Sequence, residues 1–164
     1  SLQRYECSDA VPTCSEAAGK VRSEGVELEL NGELAEGWQA SAGYTYAAAE
    51  YVKATGGAEK GDRFDSDSPY NLFKLATSYQ LPGDLDQWSV GGAFRTQSRT
   101  YTSYSVKQGG YSVVDLMAQY AVTPQTSVSL NLNNVFDENY YTAIGSRGWY
   151  GTPRSATATL VYAF

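Results

Sequence analysis

From Gly25 onward this chain is written almost entirely in a two-residue period, and that alternation decides what it can fold into. Alternate residues of a strand point to opposite faces, whereas a helix needs apolar residues three and four apart. In a first segment, Gly25 to Asn31, Val26, Leu28 and Leu30 share one face and Glu27 and Glu29 the other. Asn31 to Gly37 reads as a short turn. A second segment starts at Trp38 and sets Trp38, Ala40, Ala42, Tyr44 and Tyr46 against Gln39, Ser41, Gly43 and Thr45. A long polar loop, about Ala54 to Tyr70, follows. The third opposes Phe73, Leu75, Thr77 and Tyr79 to Lys74, Ala76, Ser78 and Gln80, and closes at a tight Leu81 to Gln87 connection. The fourth opposes Trp88, Val90, Gly92 and Phe94 to Ser89, Gly91, Ala93 and Arg95, with a possible extension to Tyr104. After Gly109 and Gly110, the fifth opposes Val114, Leu116, Ala118 and Tyr120 to Asp115, Met117 and Gln119. A turn at Thr123 to Gln125 leads to the sixth, where Val128, Leu130 and Leu132 oppose Ser129, Asn131 and Asn133. A loop from about Asp137 to Pro153 precedes the seventh, with Ala156, Ala158, Leu160, Tyr162 and Phe164 on one face. No segment carries a helical stripe.

Two features separate a membrane barrel from a soluble sandwich. The polar face is mostly Ser, Gln, Asn, Gly and Thr, like a water-filled lumen, whereas a soluble surface carries more Lys and Glu. The aromatic residues are also sorted by height. Trp38, Tyr79, Trp88, Tyr120, Tyr162 and Phe164 all fall on the apolar face at the short-turn end, where an interfacial girdle belongs. Tyr44, Tyr46, Phe73 and Phe94 cluster toward the long loops. The chain is rich in the residue that suits such belts, with 14 Tyr among 164 residues. No run of 18 apolar residues exists, so no helix of this chain spans a membrane, but barrel strands hide their signal in alternation. Unpaired amides in hydrocarbon are costly, so a lipid-facing sheet must close on itself. The expected fold is therefore all-β, with antiparallel strands of a transmembrane outer-membrane barrel. Short turns face the periplasm and long loops face outside.

Composition narrows the chemistry. A net charge of -6, from 18 acidic and 12 basic residues, suits no nucleic-acid partner. The sequence has 0 His, which removes the common catalytic triads and zinc sites, and no nucleophile elbow or phosphate-cradling loop occurs, so an enzyme is not expected. Clustered carboxylates in the loop after the second strand (Glu59, Asp62, Asp65 and Asp67) lack the spacing of a calcium-binding loop and read as a solvated acidic surface. No resident metal or cofactor is expected. Cys7 and Cys14, in the polar run CSDAVPTC, read as a local disulfide in an oxidising compartment, the alternative being two free thiols. Residues 1–19 are expected to form an extracellular loop around that bridge, and residues 20–164 the barrel strands and their loops. Ser1 reads as an internal point of a longer chain.

Three stretches carry a family likeness: GVELELNGELAEGWQASAGYTY (Gly25 to Tyr46), SPYNLFKLATSYQLPGDLDQWSVGGAFRTQS (Ser68 to Ser98) and LNLNNVFDENYYTAIGSRGWYGTPRSATATLVYAF (Leu130 to Phe164). Together, with the Asn-x-Phe-Asp-x-x-Tyr-Tyr pattern and the closing aromatic-x-Phe, they resemble the late strands of TonB-dependent siderophore receptors in the bacterial outer membrane. The resemblance implies a C-terminal arc of about seven or eight strands within a plugged barrel of about 22. It implies that the plug and the TonB-contacting segment lie N-terminal to this chain and are absent from it. It implies import of a ferric siderophore as transported ligand, with TonB and outer-membrane lipid as the other partners. Ligand contacts are then expected in the last extracellular loop, from Tyr141, Arg147, Trp149 and Tyr150. Trp and Tyr would stack on the chelate, and Arg147 would meet its negative charge. The competing reading makes Tyr140 and Tyr141 girdle residues and has Trp149 and Tyr150 pack the loop. Glu27, Glu29, Lys74, Arg95 and Asp115 read as lumen charges, solvated and paired across strands. Hydroxamate, catecholate and mixed siderophores, cobalamin and other metal chelates all stay open. The alternative function is a small self-contained barrel acting as an adhesin or anchor.

Overall fold

The computed structural model describes residues 19–53 and 57–164, which divide into two compact units. The larger comprises Glu24–Ala48 and Ser66–Phe164, and the smaller holds the described residues up to Ser23 together with those of Ala49–Asp65. Cys7 and Cys14, and with them the expected disulfide and nearly all of the expected N-terminal loop, lie outside the described residues.

The described residues form eleven strands: β1 (Lys20–Ala35), β2 (Trp38–Lys53), β3 (Asn71–Gln80), β4 (Trp88–Gln97), β5 (Thr100–Tyr101), β6 (Lys107–Gln108), β7 (Tyr111–Thr123), β8 (Thr126–Asn133), β9 (Tyr141–Ile144), β10 (Gly148–Tyr150) and β11 (Ser155–Tyr162). A single 3-10 turn at Gly83–Leu85 is the one helical element among them. Seven strands make one sheet in the order β1-β2-β3-β4-β7-β8-β11, and the pairs β5–β6 and β9–β10 are small hairpins within two of the loops. Each sheet strand thus lies beside its predecessor in an up-and-down meander. The connections alternate between turns at one end and long loops at the other.

Register keeps like with like. Trp38 faces Tyr79, Tyr79 faces Val90, Trp88 faces Tyr120, Tyr120 faces Val128, and Val128 faces Leu160. A slip of one residue in any pair would carry an apolar row onto the polar side, so the alternation itself fixes the pairing. No second layer packs on the apolar rows among the described residues: Leu30 is 75%, Leu116 46% and Leu160 68% exposed. Burying a Leu or Val side chain is worth about 1.5–3 kcal/mol, so a whole sheet face of them needs an apolar solvent. Lipid is that solvent. The buried cluster of Tyr111, Val113 and Tyr140 includes Val113, which pairs with Arg95 on the polar face. The apolar rows therefore do not meet each other across a dry interior.

Both ends of the apolar face carry rings whose polar tips are satisfied, as an interface between hydrocarbon and water requires. At the short-turn end Trp38 and Tyr79 lie 6.2 Å apart and Trp88 and Tyr120 4.7 Å apart. Trp38 Nε1 donates to Thr77 Oγ1 at 2.7 Å, and the Tyr120 hydroxyl donates to Gln87 Oε1 at 2.7 Å. At the long-loop end Phe73 and Phe94 lie 6.1 Å apart, and the Tyr44 hydroxyl donates to Asn71 Oδ1 at 2.7 Å.

Several boundaries differ from the sequence reading, and β1 already begins at Lys20, ahead of the expected Gly25. The segment Asn31 to Gly37, expected to be a turn, is strand as far as Ala35. Leu34 continues the face of Leu28 and Leu30, and only Gly37, at φ +74°, needs the left-handed conformation that closes the hairpin. The possible extension of the fourth strand to Tyr104 is absent: β4 stops at Gln97, and the chain turns into the separate β5–β6 hairpin. The last long loop, expected over about Asp137 to Pro153, contains the β9–β10 hairpin.

In the smaller unit, Tyr51 and Phe64 meet edge to face at 5.5 Å, and Glu50 bridges Arg63. Asp62 Oδ2 accepts the Glu59 N–H at 2.8 Å, so one of the clustered carboxylates is used to shape the loop.

The face assignment is open to test by charge insertion. Leu130→Arg, on the apolar face of β8, is expected to destabilise the folded barrel by about 2–4 kcal/mol, whereas Asn131→Arg, one residue away, changes it by less than about 1 kcal/mol. Urea-dependent folding of the full-length protein into lipid vesicles measures both.

Candidate functional site

The long-loop end of the larger unit is built from the strand ends upward. Beyond β8 the chain turns at Asn134, a left-handed residue (φ +50°) whose side chain is fully buried. Asn tolerates this conformation and supplies an amide that can stand in for missing strand partners. Asn134 Nδ2 donates to the carbonyls of Glu138 (2.9 Å) and Thr152 (3.0 Å), and its Oδ1 accepts the Glu138 N–H at 2.8 Å. Its own N–H goes to Asp115 Oδ1 at 2.7 Å. Asp137, also left-handed at φ +56°, accepts the Arg154 N–H at 2.9 Å. The two ends of the loop are thus tied at its root.

Tyr140 then turns back onto the sheet. Its ring is 4% exposed and stacks on Tyr111 at 4.5 Å. Arg95 donates to its hydroxyl and sits 5.1 Å from its ring centroid. Gly151 leaves room for the ring, since a Cβ there would come within 2.1 Å of it. Tyr140 is consequently neither a girdle residue nor a mouth residue; it plugs the loop into the polar wall.

Tyr141 starts the hairpin. Gly145 N–H donates to the Arg147 carbonyl at 2.8 Å to close its tip. Register places Tyr150 opposite Tyr141, and their rings lie 4.7 Å apart with the hydroxyls at 3.3 Å. That hydrogen bond, with the neighbouring phenol's charge adding to it, pushes the Tyr141 phenol above its usual 10.0. Trp149, beside Gly145, is 58% exposed and Tyr150 is 73% exposed, while Arg147 is exposed at the tip. All four residues expected to meet a ligand therefore share one hairpin. The structure brings Tyr141 and Tyr150 into direct contact and leaves Trp149 and Arg147 at and near the tip.

The polar face beneath carries the five expected charges. Glu27, Glu29, Lys74, Arg95 and Asp115 line one concavity of about 870 Å³. Their pairing differs from the reading across strands. Register sets Lys74 directly opposite Arg95, two cations that repel. Arg95 instead finds Tyr140, and Asp115 finds the Asn134 backbone.

Gln108, Tyr111 and Asn134 were not singled out from sequence. Gln108 is buried on β6 and accepts the Tyr141 N–H at 2.8 Å through Oε1. Thr102 Oγ1 donates to the Gly145 carbonyl at 3.1 Å. The one sequence signal for Asn134 was the Asn-x-Phe-Asp pattern, which marked the turn without showing what the amide does.

Residues 3–135 match the family described as TonB dependent receptor-like, beta-barrel. The chain belongs to that family, and it is part of an outer-membrane β-barrel. It is 47% identical over 143 residues to the ferric-pyoverdine BN7/BN8 receptor of Pseudomonas putida, covering 87% of this chain and 17% of the relative. It is 37% identical over 147 residues to the ferripyoverdine receptor of Pseudomonas aeruginosa, covering 83% of this chain and 17% of that one. The solved pyoverdine outer-membrane receptor FpvA of Pseudomonas aeruginosa PAO1, bound to pyoverdine, superposes with a TM-score of 0.76 at 36% identity, over 88% of this chain and 22% of that one. The siderophore receptor PiuA of Acinetobacter baumannii superposes at 0.74 with 29% identity, over 87% of this chain and 22% of that one. The chain thus spans about 17% of the length of each of these two curated relatives.

Two measurements test this architecture. Asn134→Ala leaves three backbone groups without their partner, so it is expected to cost about 1–3 kcal/mol, with hydrogen-exchange protection lost across the last loop and kept in β7 and β8. Tyr150→Phe removes the acceptor that holds the Tyr141 proton, so the Tyr141 phenol is expected to titrate closer to its ordinary value, seen in the alkaline absorbance difference between variant and wild type.

Proposed function

We propose that this chain is the late-barrel part of a receptor that imports a ferric siderophore across the outer membrane, energised through TonB, with a ferric pyoverdine as the best-supported cargo. The observation that carries the reading is an exposed aromatic hairpin at the long-loop end of a polar-walled barrel sheet, in a chain 47% identical to a ferric-pyoverdine receptor. The iron chelate is cargo here, with no resident cofactor. Import by this route makes and breaks no covalent bond of the chelate, so the protein acts as a transporter and not as an enzyme.

The chemistry of the hairpin suits such a ligand. A metal chelate is large, polar at its rim and often aromatic. Trp149 and Tyr150 offer flat surfaces for stacking, and Arg147 offers a cation that a negatively charged chelate would meet. Tyr141 lies against Tyr150, their ring centroids 4.7 Å apart. A self-contained adhesin or anchor has less support, because β1 and β11 end the sheet among the described residues and an edge in hydrocarbon needs a further neighbour.

The test is binding of a panel of ferric siderophores to the full-length receptor, read by tryptophan fluorescence. Ferric pyoverdine is expected to quench, and indifference to every iron chelate overturns the reading. Trp149→Ala is expected to weaken ferric-pyoverdine binding roughly two- to tenfold with assembly in the membrane unchanged; unaltered affinity removes Trp149 from the site.

A further inference from the structure

The last hairpin does not stand by itself. A second loop, between β4 and β7, holds it at two points, and neither contact is needed to close either loop. Gln108 on β6 is 9% exposed and spends its side chain on the hairpin: Oε1 accepts the Tyr141 N–H at 2.8 Å, and Nε2 donates to the Gly109 carbonyl at 2.9 Å. The second bond fixes which way the amide points, so the oxygen is the end presented to Tyr141. At the hairpin tip, Thr102 Oγ1 donates to the Gly145 carbonyl at 3.1 Å. The gripping loop is itself folded, with β5 paired to β6 and the Thr102 N–H donating to the Val106 carbonyl at 2.9 Å.

Tyr141 is thereby held from several sides. The preceding Tyr140 is anchored against Tyr111 and Arg95. Its own backbone is held by Gln108. Its ring lies over Gly148, where a Cβ would come within 2.6 Å, and against Tyr150. We propose that Gln108 is a positioning residue for the ligand-facing Tyr141–Tyr150 pair, joining the β4–β7 loop and the last hairpin into one lip that meets the cargo as a unit. The proposal rests on the ligand role given to the hairpin above. It adds a second loop to the site, through a residue whose side-chain amide bonds to the protein itself.

Two substitutions separate positioning from simple support. Gln108→Glu keeps an oxygen for the Tyr141 N–H but replaces the donor to Gly109 with a second oxygen. Gln108→Leu keeps the approximate volume and removes the acceptor. Both are made in the full-length receptor in outer-membrane vesicles, and each is read by hydrogen exchange at Tyr141, by ferric-pyoverdine affinity and by thermal unfolding. Gln108→Leu is expected to speed exchange of the Tyr141 amide about tenfold and to raise Kd roughly five- to tenfold, the scale of one lost hydrogen bond, with the unfolding temperature unchanged. Gln108→Glu, which loses the donor to Gly109, is expected to fall between wild type and Gln108→Leu in both. Faster exchange with unchanged affinity in Gln108→Leu assigns Gln108 a purely structural role and overturns the proposal. Should the wild-type receptor itself ignore ferric pyoverdine, the functional reading fails separately, and the positioning claim is decided by exchange in the ligand-free protein: unaltered protection of Tyr141 in Gln108→Leu overturns it.

Discussion

A peptide group in hydrocarbon has no water to bond to, and everything in this sheet follows from that. Each strand must give its N–H and C=O groups to a neighbour, so pairing is obligatory and register is the quantity to be fixed. Turns alone would fix it weakly. What fixes it here is that each strand has one apolar and one polar side, so that the ladder Trp38–Tyr79–Val90 can form in one alignment and not in the next. The same requirement reaches the side chains that sit at the membrane's edge. Trp38 and Tyr120 bring polar atoms to the apolar face, and each has a partner within 2.7 Å.

Beyond the sheet the problem reverses. The loops stand in water, where backbone groups are readily satisfied and nothing forces one conformation. Order there comes from a few buried polar anchors: Asn134 at the root of the last loop, Tyr140 driven into the polar wall, and Gln108 between two loops. Each is a side chain doing for the loop what a neighbouring strand does for the sheet. The wall they grip has its own tension, since Lys74 and Arg95 stand opposite one another. The phenol and ring of Tyr140 give Arg95 a partner that a carboxylate would otherwise have to supply.

How much of this was readable beforehand depends on range. Val26 to Leu30, Trp38 to Tyr46 and Val128 to Leu132 announce their faces through nearest neighbours, so strands, meander and girdle could all be taken from the sequence. Ends were harder. The glycine at position 32 and the acidic residues around it mimic a turn, yet Leu34 continues the apolar row and only Gly37 bends the chain. The hairpin carrying Tyr141 and Tyr150 was marked by its aromatic content, but their contact depends on a bulged register between Trp149 and Tyr150 that no local pattern encodes. Gln108 was invisible for a different reason: 33 positions separate it from Tyr141, and a lone Gln in a Gly-rich loop has no signature.

The Asn134 anchor has one more implication. Because its amide closes Glu138 to Thr152 directly, the chain between those two points is not needed to hold β8 against β11. Mutation can reshape or lengthen the hairpin from Tyr141 to Tyr150, beyond the buried Tyr140, while the scaffold folds as before. Under the proposed transport function, the preference for cargo is free to change there at little cost to the architecture.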